Sequence, residues 1–494
     1  MSLFTTIKKN RPKRTAFNLS HDKKLSCRMG DLVPILNEEI IPGDNWQVNS
    51  GTFLRLAPLI APVMAKVDVY IHYFFVPNRI LDDNWEDFIT GDGVTPPEQL
   101  TAEDGDLDKY KLGDYFGLPI MEGDQAQALG IQKMPFLAYH KIWNEWYRDQ
   151  DLQDEWEDGD QLFELHRRAW AKDYFTSARP WTSKGGEGIL PITNTVTYQD
   201  PMQYDDGITQ HNVNVETATG YLKTTDPNVT AGGQFENIDS VEGQVSINEF
   251  RIAHRIQKWF ERQSRAGSRY TETILSHFGR NVGDARLNRP EYLSGGKQGV
   301  VISEVLNTTG GQDLAVANKV PQGEMSGHGI SVGGTAGFKK TFNEHGWLIG
   351  IMSVVPKPEY ASQGVHRSWT RSDKFDYPWP EFANLGEQAI LNKELHVDHT
   401  TADEDTFGYQ SIYSELKYKA SSVHADMRDN LNMWNMCRIF DTTPTLGDKF
   451  IECDTTTINE RIFAAGDLAD QLWVQVQHNI IARRPLPYYG TPTI

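Results

Sequence analysis

Residues 66 to 76 set Val67, Val69, Ile71, Tyr73 and Phe75 on one side of an extended chain and Asp68, Tyr70 and His72 on the other. A period of two with one apolar side is the pattern of a half-buried β-strand. It returns near the C-terminus, where Leu472, Val474, Val476 and Ile480 alternate with Gln475, Gln477 and Asn479, and more weakly at Ile412, Leu416 and Tyr418. Residues 347 to 355 are apolar on both sides, as a strand covered on both faces requires. The segments between these strands are far longer than hairpin turns, and helical spacing occurs only within them. Phe136, Tyr139, Trp143 and Trp146 follow Pro135 at such spacing, and Leu162, Leu165 and Ala169 offer a second stretch. The clearest helix has Asn248 as its N-cap, an apolar stripe of Ile252, Ile256 and Trp259, and a stop at Gly267. A regular alternation of strand and helix is missing, which disfavours doubly wound and barrel enzymes. An antiparallel β-sandwich of jelly-roll type, mainly β with long inserted loops and a few helices, is the expected fold.

Three cysteines in 494 residues, Cys27, Cys437 and Cys453, cannot staple the chain and point to a reducing compartment. The longest apolar run is broken by Arg55, Lys66 and Asp68, so no segment reaches the ~18 residues of a membrane helix. Residues 1 to 7 are too short and polar for a signal peptide, and a soluble protein made in a cytoplasm is expected.

The formal charge of −19 is unevenly spread. Residues 1 to 28 hold Lys8, Lys9, Arg11, Lys13, Arg14, Lys23, Lys24 and Arg28 against Asp22, a local +7, which leaves −26 on the other 466 residues. A basic N-terminal arm on an acidic body suits a protein that touches a polyanion at one end; a solvated terminus is the plainer alternative. Residues 200 to 242 carry eight acids with Lys223 as the single base, are poor in large aliphatics, and read as a long surface excursion. On the helix after them, Arg251, Arg255, Lys258, Arg262 and Arg265 recur at helical spacing, either to bind phosphates or as a solvated face.

Catalytic templates fit poorly. Gly327 to Gly333 has one residue too many for a dinucleotide fingerprint and reads as a Gly-rich turn; Gly295-Gly296-Lys297 lacks the remainder of a phosphate loop. His396 and His399 stand three apart without a zinc-protease frame and read as a solvent-facing pair after a strand. Asp104, Asp106 and Asp108 begin like a calcium loop, but Lys109 and Tyr115 occupy its turn and closing positions. Neither a catalytic residue nor a cofactor is indicated, and metal binding is left open.

From the Arg-bearing helix onward the chain resembles a known family. Phe250-Arg251-Ile252-Ala253, Gly267-Ser268-Arg269-Tyr270-Thr271-Glu272, Ser276-His277-Phe278-Gly279, Asp284-Ala285-Arg286-Leu287 and Arg289-Pro290-Glu291-Tyr292-Leu293 stand in order. Further blocks are Phe17-Asn18-Leu19-Ser20-His21, Asp173 to Ala178, Gly346 to Pro356 and Arg484-Pro485-Leu486-Pro487. Together they resemble the major capsid protein of gokushoviruses, small single-stranded-DNA phages of the Microviridae, from about residue 11 to the end except between about 196 and 245. The resemblance implies an eight-stranded viral jelly roll without catalytic residues. Sixty copies, by way of pentamers, would form a T=1 shell around circular single-stranded DNA, assembled in the cytoplasm of a bacterial host. It implies further partners: a small basic DNA-binding protein, an internal scaffolding protein and a host cell-surface receptor. It also makes 196–245 a variable insertion that builds three-fold protrusions on a single domain spanning 29–494.

On this reading Lys8, Lys9, Arg11, Lys13 and Arg14 contact DNA phosphates inside the shell. Aromatic loop segments such as Tyr377-Pro378-Trp379-Pro380, and the extended 484–494 segment with Arg484, Pro485, Pro487, Tyr488 and Tyr489, join neighbouring subunits. The competing class is a carbohydrate-binding or carbohydrate-active β-sandwich, for which aromatic platforms and acidic loops are equally expected. Deleting residues 196–245 should leave the sandwich folded and lower adsorption to the host at least several-fold in a binding assay with intact particles; unchanged adsorption would remove the attachment role.

Overall fold

A computed structural model describes residues 13–90, 96–157, 161–184, 250–267, 269–306, 325–334, 337–464 and 470–489 in full, with backbone only for the strands and helix start between 195 and 249. Residues Ser183–Gly267 form one compact unit, and Met1–Thr182 with Ser268–Ile494 form the other.

In the larger unit the alternating segments become the strands of a sandwich. They are β1 (Thr15–Asn18), β2 (His21–Cys27), β3 (Val33–Ile40), β4 (Asn45–Leu56), β5 (Val67–Pro77) and β6 (Glu291–Gly299). The rest are β7 (Val301–Leu306), β8 (Met325–Gly334), β9 (Phe338–Thr341), β10 (Gly346–Pro356) and β11 (Leu472–Arg484). One sheet runs β1-β11-β4-β8-β7, with β2 also on β11 and β9 also on β4; the other runs β6-β5-β10-β3. All these pairings are antiparallel. The fold is therefore mainly β, an antiparallel sandwich with some helices.

The inner faces of both sheets supply the main core, including Trp46, Val48, Leu54, Val69, Ile71, Tyr73, Leu348, Val354, Leu472, Val476 and Ile480. Strand β10 is apolar on both sides for a second reason. Its Ile349 and Ile351, with Phe74 and Val76 of β5, face away from the sandwich onto helix α1 (Met134–Ile142), which contributes Phe136, Tyr139 and Ile142 to a separate cluster. Loop segments build a third cluster around Phe175, Tyr360, Phe407 and Phe450.

One polar relay crosses the main core. The Tyr73 hydroxyl donates to Ser50 Oγ at 2.6 Å, and Ser50 Oγ lies 2.8 Å from His478 Nδ1. The other ring nitrogen, Nε2, is 3.0 Å from the Ile35 carbonyl, so Nε2 carries the proton and Nδ1 accepts from Ser50. Tyr73 and Ile35 belong to one sheet and Ser50 and His478 to the other, and all four are buried. Burial holds the imidazole neutral by lowering its pKa from 6.5 to about 4.

Several local expectations are corrected. Gly327 to Gly333 lie within strand β8, not a turn. A Cβ on Gly327 would stand 2.5 Å from the Ala61 carbonyl, and one on Gly329 would stand 2.3 Å from Leu56, so the strand is Gly-rich because its neighbours press on it. Leu416 lies in the short helix Ser414–Lys417 and Tyr418 caps it, both exposed, so no strand runs from Ile412 to Tyr418. The stretch around Leu162, Leu165 and Ala169 is irregular, fixed by bridges from Arg167 to Asp31 and from Ala169 to Glu452. Helix α2 (Ile247–Ala266) begins before Asn248, which is therefore inside the helix.

His478 has a pH signature. Its folded pKa is depressed, so its stabilisation is complete above pH 6.5 and is lost as the pH falls toward 4. The difference corresponds to roughly 3 kcal/mol. Urea unfolding followed by tryptophan fluorescence should show that loss between pH 6.5 and 4. A His478→Gln variant should be less stable at pH 7 yet show a shallower acid decline; an unchanged decline would assign the acid response to other groups.

Candidate assembly and nucleic-acid surfaces

The basic N-terminal residues divide. Lys8, Lys9 and Arg11 lie outside the described residues, whereas Lys13 and Arg14 are described and exposed. From Thr15 the expected arm is part of the fold, because β1 and β2 pair with β11. Lys23 is turned inward to donate to the carbonyls of Pro34, at 3.1 Å, and Tyr115. Burial lowers its pKa to about 8. Arg28 stands 3.7 Å from the Asp470 carboxylate. These two cations serve the subunit itself, so the arm free for a polyanion is shorter than 1–28.

On helix α2 of the smaller unit, Arg251, Arg255, Lys258, Arg262 and Arg265 are all exposed. The apolar stripe beside them is exposed as well: Ile252, Ile256 and Trp259 line a shallow cleft of about 570 Å³ together with Arg251 and Arg255. The opposite side of the helix is held by Ser264, which is buried and accepts the Lys184 amide at 2.9 Å.

The C-terminal segment also divides. Arg484 ends β11 and is committed within the subunit. Its Nε lies 3.3 Å from the carboxylate of Asp44, its Nη2 donates to the Glu39 carbonyl at 2.7 Å, and its guanidinium lies over the Trp46 ring. Asp44 is fully buried and also accepts from the Trp46 indole at 3.0 Å. Beyond it Pro487, Tyr488 and Tyr489 are exposed and Pro485 is half-buried. Tyr488 stacks on Phe17 of β1. The loop aromatics Trp369, Phe375, Tyr377 and Trp379 are exposed too, with 83% of the Trp369 surface open to solvent.

Buried carboxylates in the loop core are fully engaged. Glu394 accepts from the Tyr174 hydroxyl at 2.9 Å and from the Leu391 amide at 3.1 Å, and burial raises its pKa. Glu415 is held by Arg371 at 3.0 Å and Gln388 at 2.6 Å. Contrary to the solvent-facing expectation, His396 is buried, with Nδ1 3.0 Å from Asp398, while His399 is exposed. Among the described residues no three His, Cys, Asp or Glu side chains are grouped to hold a metal ion, and no helix is long and apolar enough to cross a membrane.

The polar half of the β11 alternation supplies a surface that the sequence alone did not single out. The outward faces of β1, β2, β4 and β11 form a floor of Asn, Gln, Arg and aromatic side chains in which Asp22 is the one acid. Arg55 lies over Phe53 there, beside Trp473.

The sandwich thus presents exposed aromatic and basic surfaces, while Glu394 and Glu415 in its loop core are tied up by neighbouring side chains. The sequence profile of the family described as Capsid protein (F protein) matches residues 5–494. Capsid protein VP1 of Bdellovibrio phage phiMH2K is 33% identical over 522 residues, covering 97% of this chain and 95% of that protein. Capsid protein VP1 of Chlamydia phage 1 is 32% identical with the same coverage, and that of Spiroplasma virus 4 is 26% identical over 99% of this chain and 97% of its own. The chain belongs to this gokushovirus-type capsid protein family of the Microviridae, and it is a major capsid protein located in the virion. The family is structural rather than enzymatic, and its members assemble into a shell.

The Arg484–Asp44 pair is testable apart from assembly. Arg484→Ala leaves a buried carboxylate short of its counter-charge and should lower subunit stability by about 2 kcal/mol. Tyr489→Ala, at an exposed ring, should change it by less than about 0.5 kcal/mol. Urea midpoints of the two variants check the contrast.

Proposed function

We propose that sixty copies of this chain form a T=1 shell around a circular single-stranded DNA genome, through pentamers and with an internal scaffolding protein. The sandwich is read as an eight-stranded jelly roll. Taking β1 with β2 and β8 with β9 as interrupted single strands gives four strands, β1/β2, β11, β4 and β8/β9, over β6, β5, β10 and β3, with β7 as an addition. Lys8, Lys9, Arg11, Lys13 and Arg14 meet DNA phosphates, with a small basic protein supplying further charge. Insertion 196–245 projects outward and meets the host cell-surface receptor.

The observation that carries the assembly reading is the exposed aromatic surface. Trp369, Phe375, Tyr377, Trp379, Tyr488 and Tyr489 stand open on one subunit. Aromatic residues are enriched at protein interfaces, and large exposed apolar patches on a single chain mark interaction sites. Because Ala482 and Arg483 still pair with Trp46 and Asn45, a truncation that spares the fold falls after Arg484. Removing residues 485–494 should give a folded, soluble subunit that forms no shells by negative-stain microscopy and sedimentation. Normal shells from the truncated chain would remove this segment from the interface.

A further inference from the structure

Where β1, β11 and β4 lie side by side, their outward faces form a cleft of about 460 Å³, half of whose lining residues are the amides Asn18, Gln47, Asn49 and Asn479. Strand register fixes its plan. Asn479 of β11 stands opposite Asn49 of β4, and in the next outward row Ile481 lies between Gln47 of β4 and Asn18 of β1. Opposed residues on one face have Cβ atoms about 5 Å apart, so the amides converge around the Ile481 side chain, itself 44% exposed. Gln47 and Asn479 make no side-chain hydrogen bond to another described residue, whereas the Asn49 Oδ1 lies against the Gly337 backbone, which leaves its NH₂ group to face the cleft. Asn18 uses its Oδ1 on the Ser20 amide at 3.0 Å, which leaves its NH₂ group available.

We propose that this cleft binds the exposed bases of single-stranded DNA; the inference rests on the genome-enclosing function proposed above and deepens it. A primary amide presents a donor and an acceptor side by side, the arrangement that pairs with the edge of a nucleobase. Ile481 gives the base plane an apolar floor, and a cleft of this size is within the range of small-ligand sites. The charge of the same sheet face selects the ligand. Lys24, Arg55 and Arg483 point outward, while Asp22 is the one acid on the four strands and is bonded to Gln475. On a chain of net charge −19, a face so depleted in acids fits a polyanion carrying hydrogen-bonding bases better than a neutral sugar. Phosphates then run along the basic residues while bases turn into the amides, as single strands are bound elsewhere by flat sheet faces.

The test is fluorescence anisotropy with the full-length protein and labelled single-stranded oligonucleotides of about 12 nucleotides, with ordinary bases or fully abasic, at several salt concentrations. Ordinary DNA should bind about tenfold more tightly than abasic DNA. Asn49→Ala with Asn479→Ala should erase that preference while abasic binding holds. Asn479→Leu keeps the side-chain size without a charge but loses donor and acceptor, and should weaken base-bearing DNA by about tenfold while abasic DNA is unaffected. Equal binding of both oligonucleotides, a preference that survives these variants, binding of neutral oligosaccharides in their place, or variants that block shell formation with DNA binding intact would each overturn the proposal. The last outcome would mark the cleft as a contact between copies. Shells that protect DNA from nuclease normally but show no base preference would sink the cleft alone, whereas a chain that forms no DNA-containing shells would sink the genome-enclosing function as well.

Discussion

The subunit is closed by its last strand. β11 pairs with β4 from Leu472–Leu56 to Arg483–Asn45 and, on its other edge, with β1 and β2, so one sheet holds both ends of the described chain side by side. Pairs this distant in sequence carry a large loop-closure cost, which strand hydrogen bonds alone do not offset. Burial on the inner face must do so. His478 fixes which burial is allowed, since a shift by one residue would turn Leu472, Val474, Val476 and Ile480 outward and take the imidazole away from Ser50 and Ile35. The relay thus specifies register across both sheets in a core that apolar side chains alone would define less uniquely.

The same strand explains why one sheet can be core and binding surface together. Its period of two assigns every second residue to the interior, and the outward set is free to be polar without loss of packing. Position by position the outward set is amide or charged, apart from Trp473 and Ile481. Arg484, at the strand end, is where the two requirements meet: it neutralises the buried Asp44 and covers Trp46 just before the chain leaves the sheet.

How much of this was legible in the sequence follows from where each cause lies. Strands with one buried face announce themselves, as Leu472–Arg484 and the first half of Val67–Pro77 do, because solvent writes the alternation into local composition. The two-sided apolarity of Gly346–Pro356 was legible too, although its cause, coverage by helix α1, was not. Strand β8 was misread because its glycines answer to Leu56, Leu59 and Ala61, distant in sequence, and glycine carries no hydropathy signal. The stretch from Leu162 to Ala169 has helical spacing, but its bridges to Asp31 and Glu452 override it. Among site residues, exposure of the Arg251 to Arg265 face was readable from periodicity. The inward turns of Lys23 and Arg484 were not, because a cation on a strand looks the same whether it meets water or a buried carbonyl.

Sheet edges show how such a chain can assemble without aggregating. Strand β3, at one edge, carries Glu38 and Glu39, and the short β1 and β2 carry charged and polar outward residues, devices that discourage unplanned strand pairing. Strand β7, the last strand of its sheet path, differs: Val301 is 71% exposed, and Val305 and Leu306 are about half exposed. An apolar edge of this kind is what solitary soluble proteins avoid, and it is tolerable in a subunit whose surface is covered by its neighbours. Within the sheet that carries the amide-rich face, the guarded β1 and β2 edge and the unguarded β7 edge lie at opposite ends, which separates a surface that must stay open from one that assembly can close.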